Sequence, residues 1–401
     1  MEDTYLDPNA TQEVVGDEEG EDAPMSDMSE DEQDGDQDVE IDMSNNSFAY
    51  FDQHTDSVFR VGLHPKLPLA ISGGGDDVAY LWTTNSSPPR MLTKLTGHTD
   101  SVVAGGFSPD GEWIVTGGMD GRVRVWRSRS RGQMWEFWSV LEEVQEVVFV
   151  TFHPTLPVFA FGANDGSMWV CSLTPRLETM SVLYGHHESC TAGVFLPAEG
   201  EEINVLSASE DGSVISWSVP AGTQNFRLAH QQFHYDAQWI SVSLHSSGTS
   251  VAVGSADGKF AVIGVRTGSV IANLDLTATE PELIPEEERG IESISWCDSL
   301  GVVAVGMISG EIRLLDTGSW RTRRTLHVDE PVTKVQFVQN SPILVGSSMD
   351  GTVRKWDART GDEIWKGTGH SSGVLDFAIS ADGHTIVTAS DEGVSLVFKD
   401  Q

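Results

Sequence analysis

Histidine, aspartate, a hydroxyl residue and tryptophan recur in this sequence at fixed separations, and from such a set a proton relay can be built. In the sharpest copy His98 precedes Asp120 by 22 residues, Thr116 lies between them, and Trp126 follows the aspartate by six. Aspartate in the tight turn Met119-Asp120-Gly121 can accept a proton from His98, and the imidazole can in turn reach the Thr116 hydroxyl and the Trp126 indole. Each such bond contributes only about 1 kcal/mol net, whereas an interior partner left unsatisfied costs about 1 to 3 kcal/mol, so the set tends to occur whole. The chemistry is that of a structural clamp. Two other copies are whole: His54, Ser72, Asp76 and Trp82, and His186, Ser207, Asp211 and Trp217. A further copy keeps His327, Asp350 and Trp356 with glycine at the hydroxyl position, and the last has His370 and Thr388 but Glu392 and Phe398.

Other chemistries find little support. His186-His187 with Glu188 beside it suggests a metal site, but His186 already belongs to a relay and no second ligand cluster stands at matching spacing, so no metal is expected. Gly73-Gly74-Gly75 falls between strands rather than between a strand and a helix, which makes it a tight bend and not a phosphate cradle. No serine or cysteine nucleophile is readable with a base and an orienting acid. Neither enzymatic activity nor a cofactor is expected.

The relays need a scaffold that repeats with them. Counting from Asp76, equivalent positions follow at Asp120, Asp165, Asp211, Asp257, Ser309, Asp350 and Glu392, a period of about 45 residues. That period, with the stretch GHTDSVVAGGFSPDGEWIVTGGMDGRVRVW, is the WD-repeat signature, each copy being one four-stranded blade. Three copies have decayed: Asp165 is followed by Cys171, His234 and Asp257 by Ile263, and Ser309 by Leu315. Their strands still alternate between His-Pro and Asn-Asp-Gly turns. The expected fold is therefore all-β, an eight-bladed propeller over residues 47–400, with seven blades as the alternative. The run Ser47-Phe48-Ala49-Tyr50-Phe51 is predicted to be the outer strand of the last blade, closing the ring. Ahead of it, residues 1–46 read as a disordered leader: the first 43 hold 18 Asp and Glu, no Lys or Arg, and few large apolar side chains.

Charge points to a partner. The chain carries −37; without the leader's carboxylates, 43 acidic and 24 basic residues leave the propeller at −19. Nucleic acid is a poor direct ligand for such a body, and a basic protein or peptide is its natural counterpart. Solubility alone would explain scattered charges, but these gather where the chain approaches the innermost strands: Asp56, Asp100, Glu146, Glu188, Glu210, Asp236, Asp329 and Glu330, with Asp391 nearby. An acidic collar at the top of the channel follows, although Asp in GHTDSV is common in this repeat whatever is bound. Glu280, Glu282, Glu286, Glu287 and Glu288 add an acidic insertion in the sixth blade. Arg122, Arg124, Arg127, Arg129 and Arg131 form the only basic run and read as a solvated edge, with the acidic leader as an alternative partner. No apolar run approaches the roughly 18 to 20 residues of a membrane span, and the leader lacks the positive charge of a targeting peptide. Three cysteines, Cys171, Cys190 and Cys297, without paired spacing fit a reducing compartment, cytoplasmic or also nuclear. A monomer is expected.

The stretches GGGDDVAYLW at 73–82, VAVGMISGEIRLLD at 303–316, SMDGTVRKWDARTG at 348–361 and GVLDFAIS at 373–380 resemble a particular WD-repeat family, that of the angio-associated migratory cell protein and its fungal ribosome-assembly counterpart. The likeness covers the whole propeller and the acidic leader. It implies, for the fungal branch, a dedicated chaperone that holds the basic N-terminal segment of a newly made large-subunit ribosomal protein on the acidic top of the ring. For the animal branch it implies a role in cell migration and signalling, so a scaffold for signalling partners is the rival reading.

Overall fold

Runs of five to eight residues rich in Val, Ile, Leu and aromatic side chains, cut by Asp-Gly and Ser-Ser turns, are too short for long helices and suited to strands. In the computed structural model they form 32 strands arranged as eight four-stranded antiparallel sheets. The structure describes residues 44–129, 132, 134–198, 200, 202–277 and 284–399. Residues 1–43 of the expected disordered leader, as well as Glu280, Glu282 and Arg131, lie outside the described residues.

Each sheet is one blade. The inner strands are Val58–Leu63, Val102–Phe107, Val147–Phe152, Cys190–Leu196, Trp239–Leu244, Ile291–Cys297, Val332–Phe337 and Val374–Ile379, and each packs on the next, the last on the first. The ring has eight blades, which excludes the seven-bladed alternative. Second strands such as Leu69–Gly74, Trp113–Gly118 and Val158–Ala163 are buried throughout because a neighbouring blade covers each face. The core is accordingly eight apolar slabs, one per blade interface.

The closing strand is where the sequence places it. Ala49–Phe51 pairs antiparallel with Ser395–Lys399, with Ala49 opposite Val397. Phe51 also stacks on Trp82 of blade one at 4.7 Å and 4° between planes, so this strand joins the last blade to the first. Asn46, expected to belong to the leader, is instead docked: its side chain donates to the Lys366 carbonyl at 2.8 Å and accepts from the Thr368 N–H at 2.9 Å.

A second clasp lies in the inner strands. Asp376 is 4% exposed and accepts from Lys334 Nζ at 2.7 Å and from the Val61 N–H at 3.1 Å, with Arg60 Nη1 at 3.3 Å. Arg60 in turn donates to the Gly105 carbonyl at 3.3 Å. One carboxylate thereby links blades seven, eight, one and, through Arg60, two. Burial alone would raise the Asp376 carboxyl, but Lys334 and Arg60 hold it below the ordinary carboxylate range.

The Asp-Gly turns have a steric reason. Gly121 has φ 73°, and a Cβ there would stand 2.0 Å from the Val144 carbonyl oxygen. In blade one the same turn position is Asp77, at φ 62°, a left-handed conformation that aspartate tolerates better than most residues.

Candidate functional site: the acidic mouth and the relays beneath it

The relays are built from the second-strand hydroxyl, the turn carboxylate and a histidine on the approach to the inner strand. In blade one His54 Nδ1 lies 2.9 Å from Asp76 Oδ1 and its Nε2 2.9 Å from Ser72 Oγ, which also accepts from the Trp82 indole at 3.1 Å. In blade two His98 lies 3.0 Å from Asp120 and 2.8 Å from Thr116. Trp126 makes no hydrogen bond to Thr116; it packs in the interface between blades one and two, with the Arg124 guanidinium over its ring. In blade four a serine is inserted: His186 Nδ1 meets Ser213 Oγ at 2.7 Å, and Ser213 donates to Asp211 at 2.6 Å. The other side is as in blade one, with Ser207 2.7 Å from His186 and 2.8 Å from the Trp217 indole. Blade eight uses glutamate, with His370 2.6 Å from Glu392 and 2.6 Å from Thr388.

One expected relay does not form. His327 is exposed at the end of the outer strand Thr322–His327 of blade six, and Asp350 pairs instead with Arg354 at 2.6 Å, while Trp356 stays buried. In blade five His234 is exposed at φ 66°, and Asp257 accepts from the Ser255 hydroxyl. Burial would raise the carboxyls of Asp76, Asp120, Asp211 and Glu392, but their imidazole, hydroxyl and backbone donors outweigh it and hold all four below the usual range. Burial lowers His98 below the ordinary imidazole range despite Asp120.

These turns and approaches meet at one end of every blade. The residue heading the turn between second and third strands donates its N–H to the carbonyl of the residue entering the inner strand: Gly75 to Ser57, Met119 to Ser101, Asn164 to Glu146, Glu210 to Ser189, Ala256 to Gln238, Ile308 to Gly290, Met349 to Pro331 and Asp391 to Gly373, at 2.8 to 3.3 Å. This hydrogen bond, present in all eight blades, fixes the positions of the expected collar residues. Asp56, Asp100, Glu188 and Glu330 immediately precede the accepting residue, Glu146 is that residue, Glu210 heads a turn, and Asp236 and Asp329 stand two residues before it. All eight occupy the same mouth of the ring. Glu188, Glu210 and Asp236 converge with Asp211 and Asp257 on a cleft of about 400 Å³ between blades four and five. Asp391 reaches across to accept from the Ser57 hydroxyl at 2.7 Å.

The mouth is also uncompensated. The nearby cations are consumed locally: Arg122 by Glu142 at 2.9 Å, Arg354 by Asp350, and Arg227 by the Gly185 carbonyl at 2.6 Å with Asp211 at 3.6 Å. Among the described residues none of the eight expected collar carboxylates pairs with a lysine or arginine, and Asp236 has the His230 ring at 3.0 Å. Within the arginine run, Arg124 and Arg127 are stacked on aromatic rings, while Arg129 stays on the exposed edge. Arg124 lies 4.5 Å over the Phe137 ring, Arg127 sits between Trp113 and Trp138, and Arg129 pairs with Glu136 at 3.0 Å. The insertion's Glu286–Glu288 form a single 3-10 turn. The three cysteines are buried and free, with the Cys171 thiol pushed up to about 12 by burial.

The arrangement can attract and hold positive charge. The WD domain, G-beta repeat model matches residues 89–127, 320–357 and 361–396. Over 405 residues the chain is 38% identical to the ribosome assembly protein SQT1 of Saccharomyces cerevisiae, covering 95% of this chain and 92% of the yeast protein. It is 29% identical to the human angio-associated migratory cell protein over 354 residues, 87% of this chain and 79% of that one. Among solved structures, Chaetomium thermophilum Sqt1 bound to the N-terminus of the ribosomal protein L10 superposes with a TM-score of 0.80 at 30% identity, covering 89% of this chain and 100% of the other.

Proposed function

We propose, from the premise that this chain belongs to the WD-repeat family of the ribosome assembly protein SQT1, that it is a non-enzymatic chaperone of ribosome assembly. Its client is a newly made large-subunit ribosomal protein, held by a basic N-terminal segment across the acidic mouth. The observation that carries this reading is the run of Asp56, Asp100, Glu146, Glu188, Glu210, Asp329 and Glu330 at one end of the ring, none paired with a lysine or arginine among the described residues. The Chaetomium relative, bound to the N-terminus of L10, supports the client class.

Long-range attraction by an unpaired carboxylate ring speeds encounter with a basic segment and disfavours competing polyanions. Exposed ion pairs contribute only about 0 to 1 kcal/mol each, so affinity requires several at once. Release follows when ribosomal RNA offers the client a denser negative surface. A cytoplasmic and nuclear setting belongs to the same proposal, because the client is made in one compartment and assembled in the other.

Affinity capture from a translating extract tests it. The wild-type chain should recover one basic large-subunit ribosomal protein, and the Asp100→Lys, Glu188→Lys double variant, folded by circular dichroism, should lose it. A mixed set of partners without basic termini, retained by the double variant, would refute the chaperone reading in favour of a signalling scaffold.

A further inference from the structure

All eight inner strands carry the same irregularity. Their register on the second strand slips between the first and third residues, from Val58/Arg60 in blade one to Val374/Asp376 in blade eight, so the second residue of each is bulged. From the second and third places one blade reaches the next. Thr191 and Thr333, both second, donate to the Trp239 and Val374 carbonyls at 2.6 and 2.7 Å. From the third place Arg60 donates to the Gly105 carbonyl at 3.3 Å, Ser241 to the Ile291 carbonyl at 2.7 Å and Ser293 to the Val335 carbonyl at 3.2 Å, while Asp376 accepts from the Val61 N–H at 3.1 Å. Each of these blades is thereby tied to its successor.

Blades two and three have Val103-Ala104 and Val148-Phe149 at those places, and none of these side chains can donate or accept. The two untied seams are consecutive, so blade three is fastened to neither neighbour. No hydrogen bond or ion pair among the described residues joins its strands, Val147–Phe152, Val158–Ala163, Met168–Ser172 and Glu178–Leu183, to those of blades two or four. Apolar packing holds it instead, through Trp113, Phe159 and Phe161 on one side and Phe195 and Trp217 on the other. Nor has it a relay: Asp165 accepts from the N–H and the hydroxyl of Ser167, and Cys171 stands at the tryptophan place. Blades five, six and seven also lack a relay but keep their ties, and blade two has a relay and is held by Arg60.

Apolar contact is non-directional, whereas a hydrogen bond fixes how two surfaces are set against each other. A blade held by apolar contact alone resists removal from the core but not small slides and tilts against its neighbours. We propose that blade three is the ring's yielding element, a unit that opens independently of the other blades and before them. The seam between blades eight and one, where the chain ends meet, is by contrast held by Asp376, Arg60 and the Phe51–Trp82 stack. The inner strand of blade three starts beside Glu146, so displacement of this blade shifts that side of the mouth, whatever the mouth holds.

Hydrogen–deuterium exchange of the full chain, read by mass spectrometry, tests it. Amides of Val147–Phe152 and Val158–Ala163 should exchange about tenfold or more faster than those of the corresponding strands of blades five, six and seven. Val103→Thr and Val148→Thr place a hydroxyl at the bulged position that Thr191 and Thr333 occupy, with the Val147 and Cys190 carbonyls as the corresponding acceptors. The double variant should slow exchange in blade three toward that of the other blades. Thr191→Val, which unties blade four from blade five, should extend the fast region to Cys190–Leu196. Protection of blade three equal to that of blades five to seven in wild type overturns the proposal. Fast exchange that the double variant leaves unchanged, with circular dichroism as in wild type, shows that the missing ties are not the cause and overturns it as well. Should the double variant fail to fold, an exchange pattern unaltered by Thr191→Val overturns it on the same ground.

Discussion

Phe51→Ala tests the closing of the ring. Phe51 is 3% exposed, stacks on Trp82, and belongs to the strand that supplies the outer edge of blade eight. Truncating a buried phenylalanine costs about 3 to 5 kcal/mol, the transfer term plus the cavity left behind. At about 2.1 cal/mol/K per residue over roughly 350 folded residues, the unfolding entropy near the midpoint is about 0.75 kcal/mol/K, so the midpoint should fall by about 4 to 7 °C. Deleting the chain through Phe51 should cost more, because it also uncovers the backbone edge of Ser395–Lys399 and invites edge-to-edge association. Deletion ending at Asp42 should leave the midpoint unchanged. Differential scanning calorimetry with light scattering reads all three. If Phe51→Ala melts with wild type, or if the Asp42 deletion melts as early as the Phe51 deletion, the ring is not closed by this strand.

Two further predictions concern charge in the interior. Asp376→Asn leaves Lys334 without its counter-ion; breaking such a pair costs about 3 to 5 kcal/mol, and the half-exposed Arg60 places it near the lower end, a midpoint drop of about 4 °C. Unchanged stability in urea denaturation would show that the clasp contributes nothing. Stability should also decline in two steps on acidification. His98, His64 and His153 are lowered by burial, so the unfolded chain protonates first and stability is lost as pH falls below about 6.5. Asp76, Asp120, Glu392 and Asp376 are held low, so their contribution, full above the unfolded value of about 4, is lost below it. Chemical denaturation from pH 8 to pH 3 checks the sign, and stability that rises on acidification contradicts it.

The relays show how far spacing alone reads. His54, His98 and His370 stand 22 residues before their carboxylates, and each contacts it directly. His327 and His234 stand 23 residues before Asp350 and Asp257, and neither does. One extra residue turns the ring outward, and in blade seven Arg354 takes the vacated carboxylate. His186 stands 25 residues ahead, and Ser213 spans the difference. The closing strand was legible because an apolar run preceded His54 in the phase of an outer strand. The placement of the acidic residues at one end of the ring was legible because approach and turn residues hold a fixed phase in every blade. Asp376 was not: it stands in the apolar run Val374–Ile379, and its partners are 42 and 316 residues away, brought near only when the ring closes. The bulges were also hidden, because an extra residue at the start of a strand does not disturb the 45-residue period.

The central claim is that an uncompensated acidic mouth holds positively charged polypeptide. Titrating a peptide of the L10 N-terminal sequence into the full chain over a series of salt concentrations tests it most directly. Affinity should fall steeply with salt and be abolished in the Asp100→Lys, Glu188→Lys variant. Affinity indifferent to salt, and equal in that variant, would contradict it.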